Sequence, residues 1–316
     1  MAHIKLKDVI NRVQTKVDKD NTSLIYYVGG EHIESENVCI TKRGLIEGST
    51  IGPMFYYGFK AGDFLLVSRN PHLKKAGVVG FDGICSEKTF VLATANSEVL
   101  LPEYLPFILQ NDTFWEYAYQ HRHGSTNTFI NWSTLANYEF ELPNIEIQRK
   151  LAEILWAIND TMESYKRLIL ATDELVKSQF IEMFGDPRNN PYGHTCRPLS
   201  AISEIMSGIT KGRKIKGTRT VDVPYICTAN VQNGYVDWTE KKYMPATEEE
   251  ISKYSLLCDD VLIIEGGDPD KVGRGCLAGT LPDPCIYQNH VFRIRVDKDL
   301  ISPEFLAAYL LLPSTK

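Results

Sequence analysis

The length, composition and charge of this chain indicate a globular protein of more than one domain and argue against a membrane protein. It has 316 residues, of which 43% are hydrophobic and 23% are charged, and its formal net charge is −6 at pH 7. No stretch approaches about 18 consecutive apolar residues, and the start, MAHIKLKD, has no apolar h-region. We therefore expect neither a membrane span nor a signal peptide, and a cytoplasmic location.

The cysteines predict reduced thiols rather than disulfides or a metal site. There are seven of them, scattered along the chain without a C-x-x-C pair. Cys276 and Cys285, together with His290, would need a fourth partner to hold a metal ion. We therefore expect no metal and no cofactor on this chain.

The negative net charge still allows a nucleic-acid partner, because binding needs a local positive face rather than a positive whole. The stretch KGRKIKGTR (211–219) carries five basic residues in nine. Charge alone therefore permits DNA binding without predicting it.

The first half of the chain predicts a mixture of strands and helices. The apolar run FLLV (64–67) follows the turn-like pair Gly62-Asp63, as a buried strand does. A helix is expected near Pro102, but Pro106 would interrupt its second turn. We expect a kink or a restart at that point.

One long amphipathic helix is predicted in the middle of the chain, starting in LPNIEIQRKLAEIL (142–155). Asn144 can cap it, Gly185 is placed for a left-handed C-cap, and Pro187 prevents continuation. Apolar residues recur at alternating steps of four and three, as in a coiled coil, and about 40 residues would span about 60 Å. An ordinary long core helix is the alternative. The predicted narrow seam consists of Leu151, Leu155, Ile158, Met162, Tyr165, Ile169, Thr172, Val176, Gln179 and Met183.

The second half again predicts strands followed by a helix. VLII (261–264) follows the pair Asp259-Asp260, and VFRIRV (291–296) alternates, with its two arginines on one face and apolar residues on the other. Ser302-Pro303-Glu304 supplies a capping residue, a first-turn proline and an early acid. A helix should therefore start there.

The two halves resemble each other, which predicts two domains of one kind. Corresponding segments keep their order and lie between 193 and 201 residues apart. The matching pairs are LKDVINRV (6–13) with LSAISEIM (199–206), LIYYVGGEHIESENV (24–38) with VPYICTANVQNGYVDW (223–238), YGFKAGDFLLVSRNPHLKKAGVVG (57–80) with YSLLCDDVLIIEGGDPDKVGRGCLAG (254–279), and LLPEYLPFIL (100–109) with LISPEFLAAYLL (300–311).

The repeat also predicts where a partner for the central helix belongs. If the second half ran as far as the first, its equivalent of Asn144 would fall near residue 345, and a second helix would follow. The expectation is therefore that the chain lacks the C-terminal end of its second domain and a second long helix. A homodimer through the unpaired helix is one way to supply it.

Three segments resemble the specificity (S) subunits of type I restriction-modification systems. LPNIEIQRKLAEIL (142–155) is similar to the opening of that family's conserved region, and KSQFIEMFGDPRNNPYGH (177–194) is similar to its end. HGSTNTFINWSTLANYEFELP (123–143) resembles the end of a first recognition domain. The likeness extends over nearly the whole chain and is most specific in the centre.

The resemblance implies an α+β fold of two similar target-recognition domains, 1–144 and 187–316, joined by a coiled-coil-type helix, 145–186. It implies a non-catalytic, DNA-binding subunit of a bacterial defence complex, each half reading one part of a bipartite duplex target. It also implies that the helix acts as a spacer and as a dock for methyltransferase (M) subunits, which bind S-adenosylmethionine. A restriction/translocase (R) subunit would join them. The alternative is a coiled-coil scaffold, or an inactive or recombining partial specificity protein, without DNA recognition of its own.

Catalytic alternatives have only weak support in the sequence. An amino-methyltransferase would carry Asn/Asp-Pro-Pro-aromatic, whereas the nearest string, Asn190-Pro191-Tyr192, is one proline short. The glycines of VGRGCLAG (272–279) do not form a cofactor fingerprint, and Pro269-Asp270-Lys271 lacks the Glu-x-Lys of a nuclease. We expect no catalytic residues.

DNA reading needs phosphate clamps and planar side chains that hydrogen-bond to base edges. Polar loops with such residues are the candidate contacts, and solvated loops are the alternative. In the first half the candidates are Arg69, Asn70, His72, Lys74, Lys75, His121, Arg122, His123, Ser125, Thr126 and Asn127. In the second half they are Lys211, Arg213, Lys214, Lys216, Arg219, Asn230, Gln232, Asn233, Lys271, Arg274, Gln288 and Asn289.

Overall fold

The computed structural model describes residues 2–215, 219–266 and 271–315, which fall into two compact units. Unit 1 is Met1–Lys166 and unit 2 is Arg167–Lys316. The border between them falls inside the long central helix, so the domain limits inferred from the resemblance, 144 and 186, stay a prediction. None of the helices in the described part of the chain is long and apolar enough to cross a membrane.

Unit 1 contains three sheets with short helices between the strands. A five-stranded sheet has the order β2-β10-β7-β8-β4, a four-stranded sheet has the order β5-β3-β9-β6, and β1 pairs with β11. The strands are β1 Ala2–Lys5, β2 Ile10–Val13, β3 Tyr26–Val28, β4 Cys39–Ile40, β5 Gly44–Leu45, β6 Phe55–Phe59, β7 Phe64–Val67, β8 Ala76–Val79, β9 Gly83–Ser86, β10 Thr89–Thr94 and β11 Glu139–Leu142. The helices are α1 Leu6–Val9, α2 Leu105–Leu109, α3 Asp112–Gln120 and α4 Trp132–Leu135.

The core of unit 1 lies on both faces of the five-stranded sheet. One cluster joins Phe64, Leu66 and Leu92 to the helices through side chains such as Phe114 and Leu135. The other face packs against the four-stranded sheet through Leu65 and Val91, among others. Alternate residues of each strand therefore serve different layers, as the period of a strand requires.

Unit 2 contains two sheets, of order β12-β18-β15-β16 and β14-β13-β17. Its strands are β12 Ser203–Ser207, β13 Val221–Ile226, β14 Lys242–Ala246, β15 Val261–Ile264, β16 Gly275–Leu277, β17 Ile286–Tyr287 and β18 Val291–Val296. Two short α-helices occur in the described residues after α5, α6 Glu248–Tyr254 and α7 Pro303–Leu310. The central helix, α5 Ile145–Phe184, is a single element of 40 residues.

The internal repeat predicted from the sequence is confirmed by strand order and register. Four antiparallel strands run β2-β10-β7-β8 in unit 1 and β12-β18-β15-β16 in unit 2. Leu92 of β10 lies opposite Arg12 and Phe64, and Ile294 of β18 lies opposite Ile205 and Val261. In each unit the second sheet has a parallel pair, β3 with β9 and β13 with β17. The two units therefore share one fold.

The predicted buried strands begin at equivalent aspartate turns. Asp63 accepts a hydrogen bond from Lys60 N (2.8 Å), and Asp260 accepts one from Leu257 N (2.7 Å). Each carboxylate closes a turn on its own backbone, which is the usual reason for aspartate at such positions. FLLV and VLII then follow as β7 and β15.

The predicted limits of α5 are confirmed. Asn144 Oδ1 accepts from Ile147 N (3.0 Å) at the start of the helix. At the end, Gly185 has φ +81° and its N–H donates to Ile181 O (2.8 Å), which gives the left-handed C-cap. The chain then continues through Pro187.

The two helix starts predicted near proline also occur. Ser302 Oγ accepts from Phe305 N (3.0 Å) and Pro303 opens α7. In unit 1 the helix restarts, so Pro106 occupies the first turn of α2, where a missing N–H costs nothing.

The alternation of β18 holds, but its arginines are engaged inside unit 2. Arg293 is 2% exposed and donates through Nη2 to Glu204 Oε1 (2.6 Å). Arg295 forms a two-pronged ion pair with Asp260, with both contacts at 2.7 Å. The basic face therefore holds β12, β15 and β18 together.

Candidate nucleic-acid interface

The loop that contains the predicted first-half contacts is a closed turn. His123 and Phe129 exchange backbone hydrogen bonds in both directions, at 2.7 and 2.9 Å. Gly124 has φ +85°, a conformation that strains any residue with a side chain. The turn leaves three polar side chains exposed at its tip, Ser125, Thr126 and Asn127.

This turn is attached to the end of β7. Arg69 forms a backbone bridge with Phe129, and Asn70 N donates to Thr128 O (2.7 Å). Asn70 also has a positive φ of 50°. The structure thus brings together the two candidate stretches of the first half, which are about 50 residues apart in the sequence.

A polar cavity of about 390 Å³ lies beside the turn, entirely within unit 1. Asn127 and Arg69 were predicted from the sequence, and both line it. Arg12 and Phe90, in strands, and Trp132, in a short helix, were missed because no polar loop marks them, and the turn residues Glu87 and Lys88 were missed because they are far from the other candidates in the sequence. The lining residues are Arg12, Ser68, Arg69, Glu87, Lys88, Phe90, Asn127, Phe129, Ile130, Asn131 and Trp132.

Arg12 is the half-buried cation of this cavity. It lies on β2, the edge strand of its sheet, and its guanidinium carbon lies 4.7 Å from the centroid of the Phe90 ring. Phe90 in turn meets Trp132 edge to face, at 6.0 Å between centroids. An arginine stacked on a ring is held in plane while its donors stay available.

The cavity rim combines one acid with exposed cations. Glu87 pairs with Lys88 (2.6 Å) and accepts from the Tyr56 hydroxyl (3.3 Å). The hydrogen bond from Lys88 is the main reason why the pKa of Glu87 lies below its ordinary value, and the charge of Arg69 adds to it. Arg12, Arg69 and Lys88 against Glu87 leave the cavity positive.

The basic residues before the turn are tied to α3. Arg122 donates through Nη1 to Tyr119 O (2.5 Å) and lies over the Tyr119 ring at 3.6 Å. His121 Nδ1 lies 2.9 Å from Tyr117 O, and the centroids of the two rings are 4.2 Å apart, with the rings tilted by 30°. These contacts fix both side chains on the helix C-terminus, next to the exposed turn.

Two predicted lysine contacts are engaged inside unit 1. Lys74 donates to Asp112 (2.8 Å) and to Glu36 (2.5 Å), and these two carboxylates raise its pKa above the ordinary value. Lys75 donates to the carbonyl of Gly30 (2.6 Å). The Lys74 ammonium group therefore contacts α3 and the turn at Glu36, and that of Lys75 contacts the turn at Gly30. Arg69 and His72 are exposed.

The basic residues of the 211–219 stretch in unit 2 are likewise divided into side chains engaged inside the unit and side chains that are exposed. Arg213 binds Glu250 through two contacts of 2.6 and 2.5 Å, and its hydrogen bonds lower the pKa of that carboxyl. Lys211 and Lys214 are exposed, as is Arg219. Lys216 lies outside the described residues.

The remaining polar candidates of unit 2 centre on a hairpin that has a bridge between Val231 and Val236. Gln232 accepts from Arg274 Nη1 (3.1 Å) and donates to Ala229 O (2.9 Å). Asn233 is exposed at the tip of this hairpin. Lys271, three residues before Arg274, is also exposed, and Gln288 and Asn289 are half-buried.

Asn230 is a correction to the predicted contacts. It is 4% exposed, and its side chain accepts from Cys227 N and donates to the carbonyls of Asp237 and Glu240. All of its hydrogen-bonding capacity is used in closing the hairpin. A buried and satisfied amide is not available to a base edge.

A sequence profile of the type I restriction modification DNA specificity domain matches residues 5–171. That stretch is more than half of the chain and contains the turn, the cavity and the start of α5. The chain belongs to this family. A search among curated proteins found no match to the sequence.

One solved structure of a specificity subunit supports the fold of this family member, and two further structures match with lower scores. The S subunit from M. genitalium covers 99% of this chain and 77% of its own, with a TM-score of 0.55 at 13% identity. The HsdS subunit from Thermoanaerobacter tengcongensis (18% identity, 98% of this chain and 79% of that chain) has a TM-score of 0.45. A chain from a study of type I R-M complex assembly (18% identity, 98% and 78% covered) has a TM-score of 0.47. Of these three, only the M. genitalium structure has a TM-score above 0.5, and at 13% identity it supports the fold and nothing more.

The described residues of this specificity-family chain give no support to a metal site at Cys276, Cys285 and His290. They contain no group of three or more His, Cys, Asp or Glu side chains arranged to hold an ion. Burial raises the pKa of the Cys276 and Cys285 thiols to about 12, so neither is a ready thiolate ligand. Of the nuclease-like string, Pro269 and Asp270 lie outside the described residues.

Proposed function

We propose that this chain reads a bipartite duplex DNA target for a type I restriction-modification complex, one half of the target for each unit. The observation that carries the proposal is the shared sheet with different side chains at equivalent positions. Arg12, which is half-buried, and Ile205, which is 45% exposed, occupy the same register position. One scaffold that presents two sets of groups is what two unlike half-sites require.

In unit 1 the proposed DNA surface is the turn and the cavity beside it. Arg69 and Lys88 are exposed cations suited to phosphate, and Asn127 and Asn131 are amides suited to base edges. His123, Ser125 and Thr126 belong to the same turn as Asn127, and His72 is exposed three residues after Arg69. We leave Lys74 and Lys75 out of this surface because they are half-buried and their ammonium groups contact distant parts of the unit, whereas Lys88 is exposed and pairs with its neighbour Glu87.

In unit 2 the proposed DNA surface is the hairpin tip with Arg274, together with the exposed Lys211, Lys214 and Arg219. Arg213 has a structural role here, since it links the 211–219 stretch to the start of α6 through Glu250. Lys216 stays a prediction. The exposed lysines would contribute salt-sensitive affinity that does not depend on sequence.

The proposed role of α5 is that of a spacer and a dock for methyltransferase subunits. Its seam side chains are exposed along most of the helix, for example Ile158 (50%), Met162 (56%) and Ile169 (62%). Such a row of apolar side chains is stabilised by a second helix. A methyltransferase subunit or a second copy of this chain would supply one.

The chemistry would belong to those partners. We propose that this chain has no catalytic step of its own, that S-adenosylmethionine binds to the methyltransferase subunit, and that a restriction/translocase subunit joins the complex. Specificity would come from which duplex this chain holds against the methyltransferase.

Methylome sequencing tests the proposal. The full chain would be expressed with methyltransferase subunits in cells that lack other adenine methylation. A two-part methylated-adenine motif with a fixed gap is the expected result. Absence of any such motif, in cells where the complex assembles, would contradict it.

A coiled-coil scaffold without DNA recognition is the other candidate, and the family match does not favour it. It would assemble with the same partners through α5. A scaffold of this kind would not bind duplex DNA in a salt-dependent way, so a binding measurement at several salt concentrations distinguishes it from a DNA-reading subunit.

A further inference from the structure

We propose that Arg12 determines specificity by binding the major-groove edge of a guanine in the half-site read by unit 1. This rests on the proposed function and deepens it. Sequence reasoning had overlooked Arg12, because it lies in a strand and is flanked by Asn11 and Val13 rather than by a basic cluster.

The contacts of Arg12 leave its donors available. Its guanidinium carbon lies over the ring of Phe90, which is itself 5% exposed and contacts Trp132 edge to face. Within the described residues no carboxylate lies within ion-pair distance of it, whereas the neighbouring Lys88 is paired with Glu87. A guanidinium that is held over an aromatic ring and has unused donors favours two-pronged recognition.

Guanine fits this site better than phosphate does. The O6 and N7 atoms of guanine are two adjacent acceptors, and arginine is their commonest specific partner. Phosphates lie along the outside of a duplex, where Arg69 and Lys88 are the exposed cations of the cavity. Arg12 is half-buried within it, beside the two asparagine amides.

The equivalent position in unit 2 supports a role in specificity rather than in folding. Ile205 takes the register place of Arg12 and is 45% exposed. The same fold therefore forms without an arginine there. An isoleucine has no donor for a guanine edge, so the two units would differ in the base that they favour at this position.

This difference also supplies the variant for a test. Arg12→Ile places in unit 1 the residue that unit 2 carries at that position, so the strand should still form. Arg12→Lys keeps the positive charge and loses the paired donors of the guanidinium, so it is the variant to use if Arg12→Ile does not fold. Arg43→Ile is the matched control, because Arg43 also stacks on rings, 3.9 Å from Tyr26 and 4.7 Å from Phe81, but lies outside the cavity.

The experiment selects duplexes from a randomised pool with the full chain assembled with methyltransferase subunits. Wild-type protein should enrich a two-part motif with a G·C pair in one half. Arg12→Ile and Arg12→Lys should lose the preference at that pair, keep the other half unchanged, and bind the wild-type motif about 10- to 100-fold more weakly. Arg43→Ile should enrich the wild-type motif.

Three results would overturn the inference, and they differ from one another. If the Arg12 variants enrich the wild-type motif unchanged, Arg12 does not read a base, although the proposed function stands. If they weaken binding to all duplexes alike and lower the salt slope by about 1, Arg12 contacts a phosphate. If wild-type protein enriches no motif, the proposed function fails together with the inference.

Discussion

Gln148 lies in the first turns of α5, and its side chain is fully buried. Its amide oxygen accepts from Leu101 N (3.0 Å), and its amide nitrogen donates to Val99 O (2.9 Å) and Pro143 O (2.8 Å). One side chain therefore hydrogen-bonds to three backbone groups that lie outside the helices and strands. In the sequence, Gln148 is simply part of the family-like Gln-Arg-Lys stretch, and only the contacts explain why an amide is needed there.

Replacing this amide should destabilise unit 1. Gln148→Leu keeps the approximate volume but leaves a buried N–H and two carbonyls without their partner, so we expect the free energy of unfolding to fall by about 2 kcal/mol or more. Urea denaturation of the full chain measures it. Arg149→Leu, at the adjacent exposed position, should change it by less than about 0.5 kcal/mol. Equal stability of both variants would show that the Gln148 bonds contribute little.

At the scale of the element, α5 exposes a wider apolar surface than the narrow seam predicted from its sequence. Ile154 (58% exposed), Leu168 (60%) and Leu175 (55%) form a second row beside the seam. The second row is interrupted by Thr161, and the seam is polar at Thr172 and Gln179, so the added width is confined to parts of the helix. The seam itself stays a prediction, and the exposed apolar surface of α5 is wider than that seam.

A charge on this surface should block assembly without unfolding the chain. Ile169→Asp changes a side chain that is 62% exposed, so the stability of the chain alone should change by less than about 0.5 kcal/mol. A carboxylate in a packed helix interface is costly, so association with methyltransferase subunits should weaken at least about tenfold. Co-purification and sedimentation measure this.

The control for this variant is Ala171→Asp, which adds the same charge about 200° further round the helix. It should assemble like the wild type. If Ala171→Asp disrupts assembly as strongly as Ile169→Asp, the effect does not depend on the seam.

At the scale of the whole molecule, a chain of net charge −6 would meet DNA through local groups of cations. The structure separates basic residues that hold the fold from those that stay exposed. Lys74, Lys75 and Arg213 belong to the first group, and Lys211 and Lys214 to the second. Affinity that is independent of sequence should come from the second group.

Charge reversal at both lysines should lower the salt dependence of DNA binding. For Lys211→Glu with Lys214→Glu, the slope of log affinity against log salt should become shallower by about 2, because each phosphate contact contributes about 0.9. Fluorescence anisotropy between about 50 and 200 mM salt measures it on the assembled complex. The enriched motif should stay the same, since phosphate contacts carry no sequence information.

A matched double variant, Lys241→Glu with Lys253→Glu, reverses two other exposed lysines of unit 2. It should leave the slope close to that of the wild type. If the two double variants are indistinguishable, overall charge rather than the 211–219 stretch determines the salt dependence.

The sequence by itself determined the two similar halves, the 40-residue helix with its caps, and the strands that follow the aspartate turns. These features depend on local periodicity, on proline and glycine, and on segments that occur twice, all of which can be read along the chain. Only the tertiary structure decided which polar residues are free to bind. It placed Asn230 in a closed hairpin and Lys74 between two carboxylates, and it brought Arg12, Lys88 and Trp132 to one cavity with Arg69. The availability of a side chain depends on partners that are distant in the sequence, and local patterns carry no information about them.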